Sequence, residues 1–193
     1  MIAGVGLPLL ALSGHDSPVG SPRTFLAWLE DNAVHYANLP AVEGIHCPPL
    51  THAALYQQVR DHADALLDAG VGRADVVLII LPNGPKSLTA MLTVAAVAVA
   101  LPVGIEEPAE AIEQLLATVA VRAVLFDVAH RALADELCRK HGLMPIATCS
   151  PADSAAGQFA FAEPLPTDRQ AAATRIDDAA ILTRTSGTTA AGG

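Results

Sequence analysis

Two kinds of apolar pattern alternate along the chain. Segments with apolar residues three or four positions apart predict amphipathic helices, whereas short continuous apolar runs predict strands that are buried on both faces. The alternation predicts a doubly wound α/β fold, in which a mainly parallel sheet carries helices on both faces. The predicted helices cover 24–36, 52–70, 106–119 and 128–142, with one more that starts at Pro85; the predicted strands cover 75–81, 97–103, 122–127 and 144–149.

Residues with marked capping preferences place several helix ends. Thr51 is a good N-cap for the helix over 52–70, and Gly70 stands where a C′ glycine belongs. Proline is tolerated at the first position of a helix, so Pro85 is expected to start the next one. The apolar stripe of the helix over 52–70 predicts a buried face made of Ala54, Leu55, Val59, His62, Ala63, Leu66 and Leu67.

Composition divides the chain into four parts. Residues 1–23 form an N-terminal extension, and residues 24–149 hold the α/β core. From 150 to 175, Pro, Ala, Asp, Ser and Gly dominate without a clear period, which is typical of a surface connection. Residues 176–193 return to an apolar strand, which ends in a loop of hydroxyls and glycines.

The charge balance argues against one class of partner. The 193 residues carry a formal net charge of −9 at pH 7, and only 16% of them are charged. A chain this acidic has no electrostatic attraction to nucleic acid or to an anionic membrane. Hydrophobic residues make up 52% of the chain, which argues against disorder.

Two apolar stretches resemble membrane or targeting segments but depart from both. Residues 87–105 carry no charge, yet Pro102 and Gly104 interrupt them, so a helix followed by a buried strand is favoured over a membrane span. The opening stretch MIAGVGLPLLALSG lacks the basic residue that precedes a secretory apolar region. A cytoplasmic location is predicted, since three widely spaced cysteines without a CxxC pair fit a reducing compartment: Cys47, Cys138 and Cys149.

The stretch ILTRTSGTT, residues 181–189, carries the clearest chemical signal. Ligands of open α/β sheets bind outside the carboxyl ends of strands, and a glycine in such a loop lets backbone amides approach an anion closely. The pattern is not a Walker A loop, because no Lys-Ser/Thr pair follows the glycine. It is not a serine nucleophile elbow either, since Ser186 lacks the preceding Gly-x. An ordinary surface turn remains the alternative, because small polar residues are common in turns.

No metal site and no catalytic residue are predicted elsewhere. His52 and His62 share a helix but are ten positions apart, whereas a two-histidine site needs a spacing of four. His46 and Cys47 have no partner at metal spacing. Two groups of acidic residues have simpler explanations. A solvated helix face accounts for Asp61, Asp64 and Asp68. The first turn of a helix accounts for Glu106, Glu107 and Glu110.

The stretch RTSGTT resembles the phosphate-binding motif of the adenylate-forming superfamily, which includes acyl-CoA synthetases, aryl-CoA ligases, luciferases and peptide-synthetase adenylation domains. The family motif usually reads Thr-Ser-Gly-Thr-Thr-Gly, one residue, then Pro-Lys-Gly. Upstream, residues 50–85 and 96–127 are similar to the family segments that precede it, in the same order. The resemblance covers about residues 24–189 and leans toward the acyl-CoA synthetases.

The resemblance implies a nucleotide site and a two-step reaction. It implies that the β- and γ-phosphates of ATP are held by Thr185, Ser186, Gly187, Thr188 and Thr189. A carboxylate would attack the α-phosphate to give an acyl-adenylate and pyrophosphate, with Mg²⁺ offsetting charge. The acyl group would then pass to a thiol, coenzyme A or a carrier-protein pantetheine.

The sequence departs from the family at three places. Ala190, Ala191, Gly192 and Gly193 stand where the family continues to the loop lysine; Lys86 stands where an acidic residue is common; and Gly-Ile-Glu-Glu-Pro replaces an Asn/Asp-Pro turn. The expectation is an N-terminal, truncated portion of an acyl-CoA synthetase-like ligase, inactive by itself. It is also expected to self-associate through the surface that the missing part would cover. The alternative is a catalytically inert α/β partner-binding module with a relic phosphate loop.

Overall fold

The computed structural model describes residues 24–167 and 181–182. Helices and strands alternate along most of this length, as the apolar pattern predicts. The helices are α1 (Phe25–His35), α2 (His52–Asp68), α3 (Pro85–Ala95), α4 (Ala109–Thr118) and α5 (Arg131–His141), the last preceded by a short 3₁₀ turn, Val128–His130. The strands are β1 (Pro40–Val42), β2 (Leu50–Thr51), β3 (Val76–Ile80), β4 (Val99–Val103), β5 (Val121–Asp127), β6 (Met144–Cys149) and β7 (Ala160–Phe161).

The central sheet has the strand order β4-β3-β5-β6-β7. The first four strands are parallel, and β7 pairs antiparallel with the edge of β6. Ile181 forms a parallel bridge with Ala100 on the other edge, beside β4. The small strands β1 and β2 form a separate antiparallel pair. The predicted mainly parallel sheet is therefore confirmed.

Both faces of the sheet are covered by helices, because successive side chains of a strand point to opposite faces. On β3, Val77 and Ile79 lie in a core with residues of α1, α2 and α3. Their neighbours Val76, Leu78 and Ile80 lie in a second core with residues of α4 and α5. All five side chains of β3 are buried, which is why the strand reads as a continuous apolar run.

Local sequence signals place the helix ends as expected. The Thr51 hydroxyl accepts a hydrogen bond from the amide of Ala54 at 3.2 Å, so Thr51 caps α2. Gly70 and Gly142 follow α2 and α5 with φ of 77° and 67°, the left-handed conformation that glycine adopts without strain. Ala54 is exposed, so its predicted place on the buried face of α2 is wrong.

Residues 150–167 contain structure that their composition does not predict. Strand β7 lies in this segment, and Ala156 and Phe159 are buried. The ring of His62 on α2 lies between two phenylalanine rings, with centroid distances of 4.5 Å to Phe159 and 4.6 Å to Phe161. The segment is therefore packed against α2 through an aromatic cluster.

His62 should make stability depend on pH. Burial lowers its pKa below the ordinary 6.5, although the charge of Asp61 works in the opposite direction, and its Nδ1 is buried without a hydrogen-bond partner. Below pH 6.5 the unfolded chain takes up a proton that the folded protein resists binding. We expect the free energy of unfolding to fall as the pH decreases from 6.5 toward the lower folded pKa.

Urea titrations at several pH values measure this dependence. His62→Leu should reduce the loss of stability on acidification, whereas His35→Leu, at an exposed position of α1, should preserve that loss. Equal losses in the wild type and in His62→Leu would show that another group causes them.

Within residues 24–167 and 181–182, no helix is long and apolar enough to cross a membrane. Cys47, Cys138 and Cys149 are free thiols. Burial, with a smaller contribution from the charge of Asp135, raises the pKa of Cys138 to about 11. That thiol is protonated at neutral pH and is a poor nucleophile.

Candidate functional site

The strand order creates a crevice at the carboxyl edge of the sheet, between β3 and β5. After β3 the chain passes through α3 to β4, which is the neighbour of β3 toward one end of the strand order. After β5 it passes through α5 to β6, which is the neighbour of β5 toward the other end. The connections thus leave two adjacent strands in opposite directions. Such a point of reversal is where open α/β sheets bind their ligands.

An ion pair occupies this crevice. Lys86 lies in the first turn of α3, and Asp127 is the last residue of β5. The Nζ of Lys86 donates a hydrogen bond to Oδ2 of Asp127, and the amide of Ala129 donates to Oδ1 at 2.9 Å. The side chains of Lys86 and Asp127 are only 16% and 22% exposed. The pair is therefore partly withdrawn from water.

The surroundings keep Asp127 ionised. Burial acts to raise the pKa of its carboxyl group, but the hydrogen bonds from Lys86 and Ala129 together hold the pKa below the ordinary 3.8. Lys86 is consequently held at the crevice by a carboxylate that is charged at neutral pH.

The start of α3 is open in front of this lysine. Gly84 is the N-cap and offers no side chain to the first turn, and Pro85 occupies the first helical position. A Cβ added at Gly84 would meet no atom within 4 Å. The positive end of the helix dipole and the ammonium group of Lys86 thus lie together, an arrangement suited to an anion.

Ile181 and Leu182 lie beside β4 and run parallel to it. The amide of Leu182 donates to the carbonyl of Ala100 at 2.8 Å, and the Ile181 bridge is parallel to β4. The chain direction at Leu182 is therefore toward the carboxyl ends of β3 and β4. Thr185, Ser186, Gly187, Thr188 and Thr189 lie outside the described residues, as do all of the residues 1–23, 168–180 and 183–193. The phosphate-binding role of the five loop residues stays a prediction.

The other residues considered from the sequence do not converge on a site. Across the part of the chain that the structure describes, no three His, Cys, Asp or Glu residues are grouped so as to hold a metal ion. Asp61 accepts a hydrogen bond from Gln57 on the surface of α2, as expected for a solvated face. His46 lies in a turn with a φ of 63°.

Sequence reasoning missed the pairing of Lys86 with Asp127, because 41 positions separate the two residues. One signal was available. The helix dipole disfavours a cation in the first turn of a helix, so a lysine directly after the starting proline of α3 is unusual. Asp127 also directly follows a buried apolar run, at the end of the strand where binding residues of α/β sheets lie.

A cavity lies beside β6. Its volume is about 310 Å³, and it is lined by β6 residues together with residues 163–166. Arg131 borders it and pairs with Glu163 at 2.5 Å, with both side chains well exposed. An exposed pair of this kind contributes little to stability.

Comparisons with known proteins agree with this architecture. The sequence profile of the family described as "AMP-binding enzyme" matches residues 29–191. Over 183 residues, or 94% of its length, the chain is 32% identical to the Salinispora arenicola (strain CNS-205) protein described as "Probable non-canonical nonribosomal peptide synthetase (NRPS) CymA". It spans 2% of that protein.

The same fold occurs in solved structures. A long-chain-fatty-acid-CoA ligase (FadD1) from Archaeoglobus fulgidus superposes with a TM-score of 0.66 at 13% identity, covering 86% of this chain and 35% of that one. Mycobacterium smegmatis MbtA superposes with a TM-score of 0.66 at 22% identity, covering 86% of this chain and 32% of that one. The chain thus spans about a third of the length of each.

Proposed function

This chain belongs to the AMP-binding enzyme family, and from that membership we propose that it is the N-terminal part of an AMP-forming, carboxylate-activating ligase. The reaction joins ATP and a carboxylate to give an acyl-adenylate and pyrophosphate, and then transfers the acyl group to a thiol. The observation that carries the proposal is the family match, which extends over residues 29–191 and so includes the loop at 185–189.

The proposed role of residues 185–189 is to hold the β- and γ-phosphates. Hydroxyls of Thr185, Ser186, Thr188 and Thr189 donate to phosphate oxygens, and Gly187 allows the backbone amides to approach them. The direction of the chain at Leu182 supports this role, because it leads toward the carboxyl edge where ligands of such sheets bind.

Lys86 is the proposed source of positive charge for the phosphates. The loop residues 185–189 carry no fixed charge. Lys86 lies at the same edge of the sheet, at the helix start that suits an anion. In the absence of nucleotide, Asp127 keeps the ammonium group at the crevice; with nucleotide, the phosphates compete for the same group.

A magnesium ion fits the loop only in part. The four hydroxyls are oxygen donors of the kind that Mg²⁺ accepts, but the described residues offer no cluster of three acidic or histidine ligands. When bound, Mg²⁺ would offset phosphate charge, as in other phosphoryl chemistry. The contribution of this chain is to position the phosphates and stabilise their charge.

The finer features of the activity follow from the same proposal. The relatives include a protein named as a long-chain-fatty-acid-CoA ligase and one named as a nonribosomal peptide synthetase. The acceptor is accordingly proposed to be coenzyme A or a carrier-protein pantetheine. A cytoplasmic location and self-association of the 193-residue chain stay predictions.

Carboxylate-dependent exchange of labelled pyrophosphate into ATP tests the proposed function. It is run over a panel of carboxylic acids, on the 193-residue chain and on any longer product of the same gene. We expect exchange by the longer product and none by the 193 residues alone, since the chain spans about a third of its structural relatives.

The other outcomes of this assay are equally informative. Exchange by neither protein would favour an inert, partner-binding α/β module. Exchange by the short chain alone would contradict the proposal that further residues are needed.

A further inference from the structure

One backbone carbonyl connects three distant parts of the chain. The carbonyl oxygen of Gly157 accepts a hydrogen bond from Oγ1 of Thr89 on α3 at 2.6 Å. It accepts another from Nε2 of Gln58 on α2 at 3.1 Å. Thr89 is completely buried, so its hydroxyl has no competing contact with water.

The segment that carries this carbonyl is itself held in place. The amide of Phe159 donates to Oε1 of Gln58 at 3.3 Å, so the Gln58 amide group meets the segment at two points. The amide of Ala156 donates to the carbonyl of Pro48 at 2.7 Å. We call Gln58, Thr89 and residues 156–159 the clamp.

Gly157, in the clamp, packs tightly against the first turn of α3. A Cβ added at Gly157 would lie 2.6 Å from Cγ2 of Thr89 and 2.8 Å from the carbonyl oxygen of Pro85. The Thr89 hydroxyl also lies 3.1 Å from the carbonyl oxygen of Lys86, in the same helical turn. The backbone of Gly157 is therefore packed directly against the turn that carries Lys86.

The first turn of α3 benefits from such support, because its N-cap contributes only a backbone hydrogen bond, from the amide of Leu88 to the carbonyl of Gly84. Gly84 makes no side-chain capping bond, unlike Thr51 at the start of α2. Lys86 must nevertheless reach Asp127 on a different element, across the crevice between β3 and β5. Small rotations of a first turn without a side-chain cap would move the long side chain of Lys86 away from Asp127.

We propose that Thr89 is a positioning residue for Lys86: through the clamp it fixes the first turn of α3, and thereby places the ammonium group at the crevice where a polyphosphate binds. The ligand part of this inference rests on the proposed function. The placement of Lys86 against Asp127 does not.

The test compares two buried threonines of the same helix. Thr89→Val removes the hydroxyl that bonds Gly157, whereas Thr93→Val is the matched control, because Thr93 is equally buried and its hydroxyl has no hydrogen-bond partner. Thr89→Ser keeps the hydroxyl and serves as the rescue variant. Lys86→Met shows the behaviour of Asp127 once the ion pair is lost.

The readout is the pKa of Asp127, followed by NMR of its carboxyl carbon in the full 193-residue chain. We expect Thr89→Val to raise this pKa toward the value in Lys86→Met. Thr93→Val and Thr89→Ser should keep the wild-type value. An unchanged pKa in Thr89→Val would overturn the proposal, whatever happens to the melting temperature, because a merely structural role would alter stability alone.

Two further measurements keep the test decisive. If Thr89→Val does not fold, Gln58→Leu loosens the same segment from α2 and should raise the Asp127 pKa; an unchanged value there also overturns the inference. In the exchange assay on a longer gene product, Thr89→Val should change the KM for ATP more than it changes kcat. The factor by which it raises the KM should be roughly ten times the factor by which it lowers kcat. Absence of exchange in every variant would reject the proposed function and leave the pKa result standing.

Discussion

Gly157→Ala is expected to lower the free energy of unfolding by about 3 kcal/mol, the sum of backbone strain and overpacking. The φ of Gly157 is +79°, a backbone conformation that is energetically unfavourable for any residue with a Cβ. The new methyl group would also approach Thr89 Cγ2 and the Pro85 carbonyl oxygen to 2.6 and 2.8 Å. Because one of these atoms belongs to the backbone of α3, relief requires a shift of the helix start. Urea denaturation at pH 7.5 measures the change, with an unaltered m-value as the sign of an intact fold.

Gly142→Ala is the matched control for this effect. Gly142 has a similar φ of +67°, but a Cβ there would meet no atom within 4 Å. Its substitution should cost only the backbone term, about 1 kcal/mol. Equal losses at the two glycines would contradict the close contact between residue 157 and α3.

Thr188→Val should lower the rate of ATP–pyrophosphate exchange roughly 100-fold in a longer gene product that carries out the reaction. The expected size is that of removing one preorganised hydrogen-bond donor from a site where charge develops. Valine preserves the shape of threonine while it removes the hydroxyl proposed to contact a phosphate oxygen. The effect should appear mainly in kcat if the bond strengthens in the transition state.

Thr118→Val provides the control for this loop substitution. The Thr118 hydroxyl bonds to carbonyls of its own helix, Gln114 and Leu115, at the end of α4 that precedes β5. That position lies at the opposite edge of the sheet from the crevice, so the exchange rate should stay within twofold of the wild type, about 0.4 kcal/mol. If Thr188→Val is as active as this control, the proposed contact between the Thr188 hydroxyl and a phosphate oxygen is wrong.

Features set by a few neighbouring residues were predictable from the sequence. The Thr51 cap depends on its own hydroxyl and an amide three positions later, and Pro85 starts α3 through its fixed φ. The buried strand β3 is visible because every one of its side chains is apolar. The alternation of such strands with helices was enough to predict a parallel sheet with helices on both faces.

Features set by distant residues were not predictable in the same way. The two residues of β7 have no periodicity, and their pairing with β6 depends on Phe159 and Phe161 packing against His62, about a hundred positions earlier. The order of strands decides that Lys86 faces Asp127, and periodicity carries no information about strand order. The loop at 185–189 was identified through its resemblance to a family motif, and the family match includes these residues.

The bridge between Ala100 and Ile181 bears on how the chain folds. About 80 positions separate the two residues, whereas β3 and β4, like β5 and β6, are joined through a single crossover helix. Closing the longer loop costs more entropy, so this pairing is expected to form after the β3–β5–β6 sheet has assembled. Until then the outer edge of β4 presents unpaired amides and carbonyls, and a partly synthesised or partly refolded chain is most prone to aggregate there.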